Sequence, residues 1–256
     1  MAWSHEPKIL GTAGGLRKAA RHFPDAPIYM VNSDCISDID FAATAAAHVV
    51  SGRLATMVVV PHEEGSPYRP VLTGAMHRDG TARVTGIAKR RWGSGTAMPR
   101  TFTGVHVLSP EVIDAIPAGV ACDINADIYP KLIDKNADAV GSWLHPGYWL
   151  EAGTPAAYLD MNLQMLARDG RSAIVGPGFF IDEDASVERA VLGARAKLER
   201  DVVVKESVVW GGFTAGPGVV LSRCVVVEDL ELPEGTFERC ILMKSEDGTL
   251  TTEALA

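Results

Sequence analysis

The chain has 256 residues, with 24 Lys+Arg against 32 Asp+Glu for a formal net charge of −8, and 47% of its residues are hydrophobic. That apolar share excludes intrinsic disorder and supports one large core or two modest ones, while the acidic balance disfavours a sequence-blind nucleic-acid binder, which needs surplus cations to displace phosphate counterions. No apolar run approaches the roughly 20 residues that cross a bilayer, and the start, Met1 to Glu6, has neither a basic nor an apolar leader region. A cytoplasmic protein with no nucleic-acid or membrane partner is expected. The cysteines Cys35, Cys122, Cys224 and Cys240 lack CxxC spacing, so reduced thiols are expected rather than a zinc site or a disulfide framework.

In chain order, Ile28 to Val31 follows two prolines and ends at Asn32-Ser33-Asp34, which predicts a buried strand running into a polar turn. Asp40 caps an alanine-rich helix over Phe41 to Val50, and Gly52 stops it. Ala55 to Val60 predicts a second buried strand. Val71 to Ala75 and Ala82 to Ile87 flank Asp79-Gly80 as a hairpin. Phe102 to Leu108 is strand-like, Ser109-Pro110-Glu111 opens a helix, and Thr154-Pro155 opens another that runs through Ala167 to Gly170. Strands alternating with helices predict an α/β layered domain.

After Arg171 the pattern changes to Gly and Val. Val175, Ile181 and Val187 recur every six residues, Leu192, Leu198 and Val204 repeat that spacing in a second phase, and Val220 and Val226 continue it less cleanly. A six-residue apolar period predicts a β-solenoid whose interior these residues fill, with an irregular antiparallel sheet as the alternative. The domain boundary is expected near Gly170.

Four segments are candidates for chemistry. Leu10-Gly11-Thr12-Ala13-Gly14-Gly15 precedes a helical stretch, Leu16 to Ala20, so its small residues could bring backbone N–H groups close to an anion or a polar base edge. A plain glycine-rich turn is the alternative. Asp34 stands where a strand ends, as a Mg²⁺ carboxylate or a turn residue, and Asp38 and Asp40 read as capping residues. Gly147 to Pro155 combines an aromatic pair, Glu151 and a helix cap. Lys89-Arg90-Arg91 is a basic run, either a solvated face or a phosphate contact. No GxSxG elbow, HExxH or histidine cluster is found, and so nucleophilic and zinc hydrolysis lack support.

Taken in order, these pieces resemble the sugar-1-phosphate nucleotidyltransferases, or NDP-sugar pyrophosphorylases, most of all their mannose-1-phosphate guanylyltransferase-like branch. Leu10 to Gly15 resembles the family's LGTAG stretch, which implies nucleotide contacts at Gly11, Thr12, Ala13, Gly14 and Gly15. Val31-Asn32-Ser33-Asp34 resembles its strand-end NGD, with Ser33 in place of Gly, and implies a metal-binding Asp34. Phe102 to Val105 falls where the family has a sugar-contacting glycine, here Gly104. Gly147 to Pro155 resembles W-x-D-x-G-T-P, with Glu151 in the position of the second metal-binding Asp. Lys89 corresponds to the Lys of the family's E-K-P motif, with Ala88 and Arg90 replacing its neighbours; it would contact the sugar phosphate as the catalytic cation.

The resemblance covers roughly Ile9 to Gly170, and many members carry a hexapeptide solenoid. It implies Mg²⁺-dependent transfer of a nucleotidyl group from an NTP to a sugar 1-phosphate, giving an NDP-sugar and pyrophosphate. The family's opening strand and GxGxRL loop have no counterpart before Gly11. The expected fold is therefore an incomplete Rossmann-like nucleotidyltransferase domain over residues 1–170, impaired in catalysis as this chain alone, followed by a left-handed β-helix over residues 171–256. A homo-oligomer or a complementing subunit would fit. The alternative reading is a non-catalytic regulatory or assembly paralogue. A hexapeptide acyltransferase is less favoured, because no histidine follows His145 to act as base.

Overall fold

The computed structural model describes residues 2–227 and 229–255. The chain divides into two compact units, Met1–Trp149 and Leu150–Ala256.

The first unit contains α1 (Gly11–Ala19), β1 (Ile28–Val31), β2 (Cys35–Ser37), α2 (Phe41–Ser51), β3 (Ala55–Pro61), β4 (Val71–Thr73), β5 (Thr81–Ile87), β6 (Arg90–Arg91), β7 (Met98–Leu108), α3 (Pro110–Asp114), α4 (Tyr129–Lys135) and β8 (Val140–Leu144). The α2 boundaries follow from local chemistry: Asp40 accepts from the Ala43 N–H, and Gly52 closes the helix in the left-handed region. Seven strands form one sheet in the order β1-β7-β3-β8-β5-β4, with β6 on β5. The pair β3–β8 is parallel, and β1–β7, β3–β7, β5–β8 and β4–β5 are antiparallel. β3 sits inside this sheet. Its Met57, Val58 and Val59 are fully buried, as a β-branched run covered on both faces requires. Met57 and Val59 join Leu108, Ile124, Ile128 and Tyr129 in the main core, while Val58 packs with Ile39, Val105 and Trp143 on the other face. One buried polar pair interrupts the main core: the Tyr129 hydroxyl lies 2.6 Å from His106 Nδ1.

Strand β9 (Trp149–Glu151) straddles the division, and α5 (Pro155–Arg168) opens the second unit. Four coils follow. They comprise β10, β11 and β12 (Ala173–Val175, Phe180–Ile181, Ser186–Glu188), β13, β14 and β15 (Ala190–Leu192, Lys197–Leu198, Val203–Lys205), β16, β17 and β18 (Val208–Val209, Thr214–Ala215, Val220–Ser222), and β19, β20 and β21 (Val225–Val226, Glu231–Leu232, Thr236–Glu238). β22 (Cys240–Lys244) then continues the first sheet and β23 (Leu250–Ala254) closes it antiparallel. Each coil stacks in parallel on the next, giving three sheets.

The interior positions are those the period predicts: Val175, Ile181 and Val187 pack on a core holding Leu192, Leu198 and Val204. Further along, the register differs from the expectation. Leu221, not Val220, occupies the interior beside Val226, because Ala173 stacks on Ala190 and Val191 on Val208, a repeat of 17 rather than 18 residues. The coil closes by turning one residue early at a left-handed corner, at Arg189, Glu206 and Arg223, and the last coil, which ends at the left-handed Arg239, takes only 16 residues. Corner-to-ladder hydrogen bonds, such as Glu206 N–H to Glu188 O and Arg223 N–H to Lys205 O, offset that strain. Arg189, Glu206, Arg223 and Asp160 link the corners in an ion-pair chain.

Among the compact units α5 goes with the coils, for a packing reason. Leu159, Leu163 and Leu166 on α5 bury themselves against Val208 and Val225 of the coils.

Candidate functional site

Asp34 follows β1, whose register against β7 pairs Val31 with Val105. One residue further, the Asn32 N–H donates to Gly104 O at 3.0 Å. Gly104 has φ +80°, and a Cβ there would lie 2.8 Å from the Asn32 Cγ. Only glycine satisfies both conditions. The strand-end turn and the expected sugar-side glycine are thus neighbours, and the exposed Asp34 carboxylate has no hydrogen-bond or ion-pair partner among the described residues.

The glycine run differs from the expected loop, because Gly11 to Gly15 form the first turns of α1. The Ala13 and Gly14 N–H groups donate to Cys122 O at 3.1 and 3.4 Å, and Cys122 N–H donates to Leu10 O at 2.9 Å. The Thr12 hydroxyl donates to Asp123 and accepts from the Ile124 N–H, both at 3.0 Å. A Cβ at Gly11 or Gly14 would stand 2.7 Å from Cys122 O or Val120 O, and one at Gly15 2.5 Å from the Glu6 carboxylate. Smallness here serves the close approach of residues 120–122 and of Glu6.

Lys89 is exposed at the β5–β6 turn, beside Ala88 in the left-handed region. It lines a cleft of about 440 Å³ with Arg69, Leu72, Gly86 and Arg91, a lining that includes none of Asp34, Gly104 or residues 11–15. Arg90 pairs with Asp134 on α4 at 2.8 Å, and the Trp92 indole N–H, with Arg90, holds the Asp134 carboxyl below its usual range.

Asp38, expected as a cap, does something else. It accepts from the Tyr148 N–H at 2.8 Å and lies 2.9 Å from Nε2 of the buried His145. Although partial desolvation opposes it, these bonds hold the Asp38 carboxyl below its usual range. A Cβ at Gly147 would collide with the Asp38 carboxylate, so this clamp fixes the turn that leads into β9. Trp149 is half-buried, edge-on to Tyr68. Nothing in local spacing announces a partnership between Asp38 and His145. In the second unit, Glu151 is half-buried at the end of β9. Among the described residues no three His, Cys, Asp or Glu side chains are grouped to hold a metal by themselves, and no helix is long and apolar enough to span a membrane.

Comparison with known proteins decides the family. A profile described as nucleotidyl transferase matches residues 1–168. The chain belongs to that family. A second profile, GlmU-like C-terminal hexapeptide, matches residues 155–237, in accord with the coils. The chain is 28% identical to a probable mannose-1-phosphate guanylyltransferase 1 of Oryza sativa subsp. japonica, over 88% of this chain and 60% of that protein. It is 31% identical to a UTP–glucose-1-phosphate uridylyltransferase of Synechocystis, over 89% and 62%, and 27% identical to a mannose-1-phosphate guanyltransferase of Yarrowia lipolytica, over 93% and 73%. The chain thus spans about 60% of the length of the first two relatives. All three are named as sugar-1-phosphate nucleotidyltransferases.

Proposed function

We propose that this nucleotidyl transferase family member transfers a nucleotidyl group from an NTP to a sugar 1-phosphate, releasing pyrophosphate and an NDP-sugar. The observation that carries the reading is the strand-end turn: an unpartnered Asp34 carboxylate two residues beyond Asn32, whose N–H is tied to Gly104, a glycine whose φ and close neighbour admit no side chain. A phosphate oxygen of the sugar phosphate attacks the α-phosphorus, and the bond to the pyrophosphate oxygen breaks. That nucleophile is already anionic at neutral pH. No general base is needed, and the residues' task is to position the reactants and neutralise charge.

The donor set fits Mg²⁺. This ion takes one or two carboxylates and completes its octahedron with substrate phosphates and water, which agrees with a free Asp34 and with the absence of an all-protein cluster among the described residues. Asp34 would hold it; bound there, Mg²⁺ would neutralise phosphate charge. Lys89 would meet the sugar phosphate, Gly104 would leave room for the sugar, and Gly11 to Gly15 would face the nucleotide. The Ala13 and Gly14 N–H groups are engaged by Cys122 O, which favours weak turnover by this chain alone and keeps a ligand-sensing subunit as the second reading. The test is pyrophosphate release from purified chain given each NTP with mannose 1-phosphate or glucose 1-phosphate in Mg²⁺. NTP-specific release that requires the sugar phosphate is the expected result. NTP binding without release under any pairing supports the sensing subunit, and no NTP binding at all overturns both readings.

A further inference from the structure

We infer that the β4–β5–β6 hairpin carries a second anion site, adjoining the Lys89 cleft and sharing Leu72 and Arg91 with it, which takes a phosphate group either free or as the monoester of a small molecule. On β5, Arg83 and Thr85 flank the core-facing Val84 and therefore share the opposite face. Together with Arg91 from β6 they line a cleft of about 370 Å³ closed by Trp92, Gly93 and Thr96. That is at the small end of the range for ligand pockets. No carboxylate lines it, although the chain as a whole carries a net charge of −8.

Three features mark it as a built site. First, neither Arg83 nor Arg91 has a carboxylate partner among the described residues, whereas the adjacent Arg90 is held by Asp134. Second, the Thr85 hydroxyl is buried with no hydrogen-bond partner. Such an atom costs free energy unless a ligand satisfies it. Third, the far wall is fixed. The Trp92 N–H donates to Thr85 O at 2.8 Å and its indole N–H to Asp134 at 2.9 Å, so residues 93–97 start from a pinned point. The Arg83 guanidinium reaches to 3.8 Å of where a Cβ on Gly93 would stand. Two guanidinium forks and a hydroxyl donor converging on a cleft with no acid match the tetrahedral, multiply charged acceptor of a phosphate better than a carboxylate or a planar base.

The experiment is isothermal titration of the full chain with inorganic phosphate, a nucleoside 5′-monophosphate and a hexose phosphate, with chloride held constant. Arg83 and Thr85 line this cleft alone, and Lys89 and Arg69 line only the other. Arg83→Gln is therefore expected to weaken phosphate binding roughly tenfold, Arg83→Lys less because charge survives without the fork, and Thr85→Val about threefold. Arg69→Gln, which alters only the neighbouring cleft, should leave it within about twofold. Melting curves of the variants that match the parent exclude misfolding, and Thr85→Val, nearly isosteric, serves if Arg83→Gln does not. A monoester that binds tighter than phosphate and loses that advantage in Arg83→Gln identifies the ester as ligand; affinities for phosphate and ester that are equal and fall alike in Arg83→Gln identify free phosphate. Absence of saturable binding, indifference to Arg83→Gln and Thr85→Val, or loss confined to Arg69→Gln overturns the inference, and none of these outcomes reads turnover.

Discussion

In the coils, Leu192, Leu198 and Val204 stack directly on Val209, Ala215 and Leu221 of the next turn. In the α/β unit, Asn32 meets Gly104, and Asp38 meets His145, across long stretches of chain. The first arrangement repeats one local solution; the second builds single, unrepeated junctions. Damage to an interior coil position should therefore remove a shared core, whereas damage to a junction should cost little stability but much function.

The largest expected effect follows from the shared core. Val204 is fully buried and its neighbour Val203 is exposed. Val204→Asp places an unpaired carboxylate in an apolar interior, a cost of several kcal/mol, and should melt the second unit, while Val203→Asp should leave its midpoint nearly unchanged. Equal effects would break the contrast. At the Asn32 junction, Gly104→Ala is expected to cost about 1–2 kcal/mol from the positive φ alone, with displacement of Asn32 added. A calorimetric scan should show only the first unit shifted, and nucleotidyl transfer should fall further than stability does.

How much of this was legible depends on how local the cause was. The six-residue period exposed the coil interior because each strand buries one position in the same way. The 17-residue closure already separates Val175 from Leu192, but its continuation to Leu221 in place of Val220 was missed because corner geometry leaves no residue-type signature: Arg, Glu and Asp occupy left-handed corners where glycine would be expected. In the α/β unit, Asp40 and Gly52 announced the ends of α2, since capping is decided within a turn of helix. The roles of Asp38, His145, Arg83 and Thr85 were not legible, because their partners come from other strands and loops. Glycine-rich residues 11–15 read as a loop, yet the demand for small residues came from the backbone of residues 120–122.

A third, intermediate effect concerns pH. Burial pushes the His106 imidazole down to about 3 from its ordinary 6.5, and desolvation also lowers His48. A histidine kept neutral in the folded state makes the unfolded chain the better proton binder below about 6.5, so stability falls as pH drops through that value and levels off near the folded pKa. The melting midpoint of the first unit should fall between pH 7 and pH 5 more than that of the second, which contains no histidine. His106→Phe should flatten the slope. The smallest expected effect is at the β5–β6 turn, where Ala88 has φ +54°; Ala88→Gly should stabilise the hairpin by at most about 1 kcal/mol, read as a slight rise in midpoint.

The most direct measurement is NTP affinity in Mg²⁺ and in EDTA, for the parent chain and Asp34→Asn. A carboxylate that holds a cation against the phosphates predicts binding at least about tenfold tighter with Mg²⁺ in the parent chain, and a difference that vanishes in Asp34→Asn while both melt alike. An Mg²⁺ effect of equal size in both proteins, or none in either, would contradict the assignment of Asp34 as the metal ligand of a nucleotidyl transfer site.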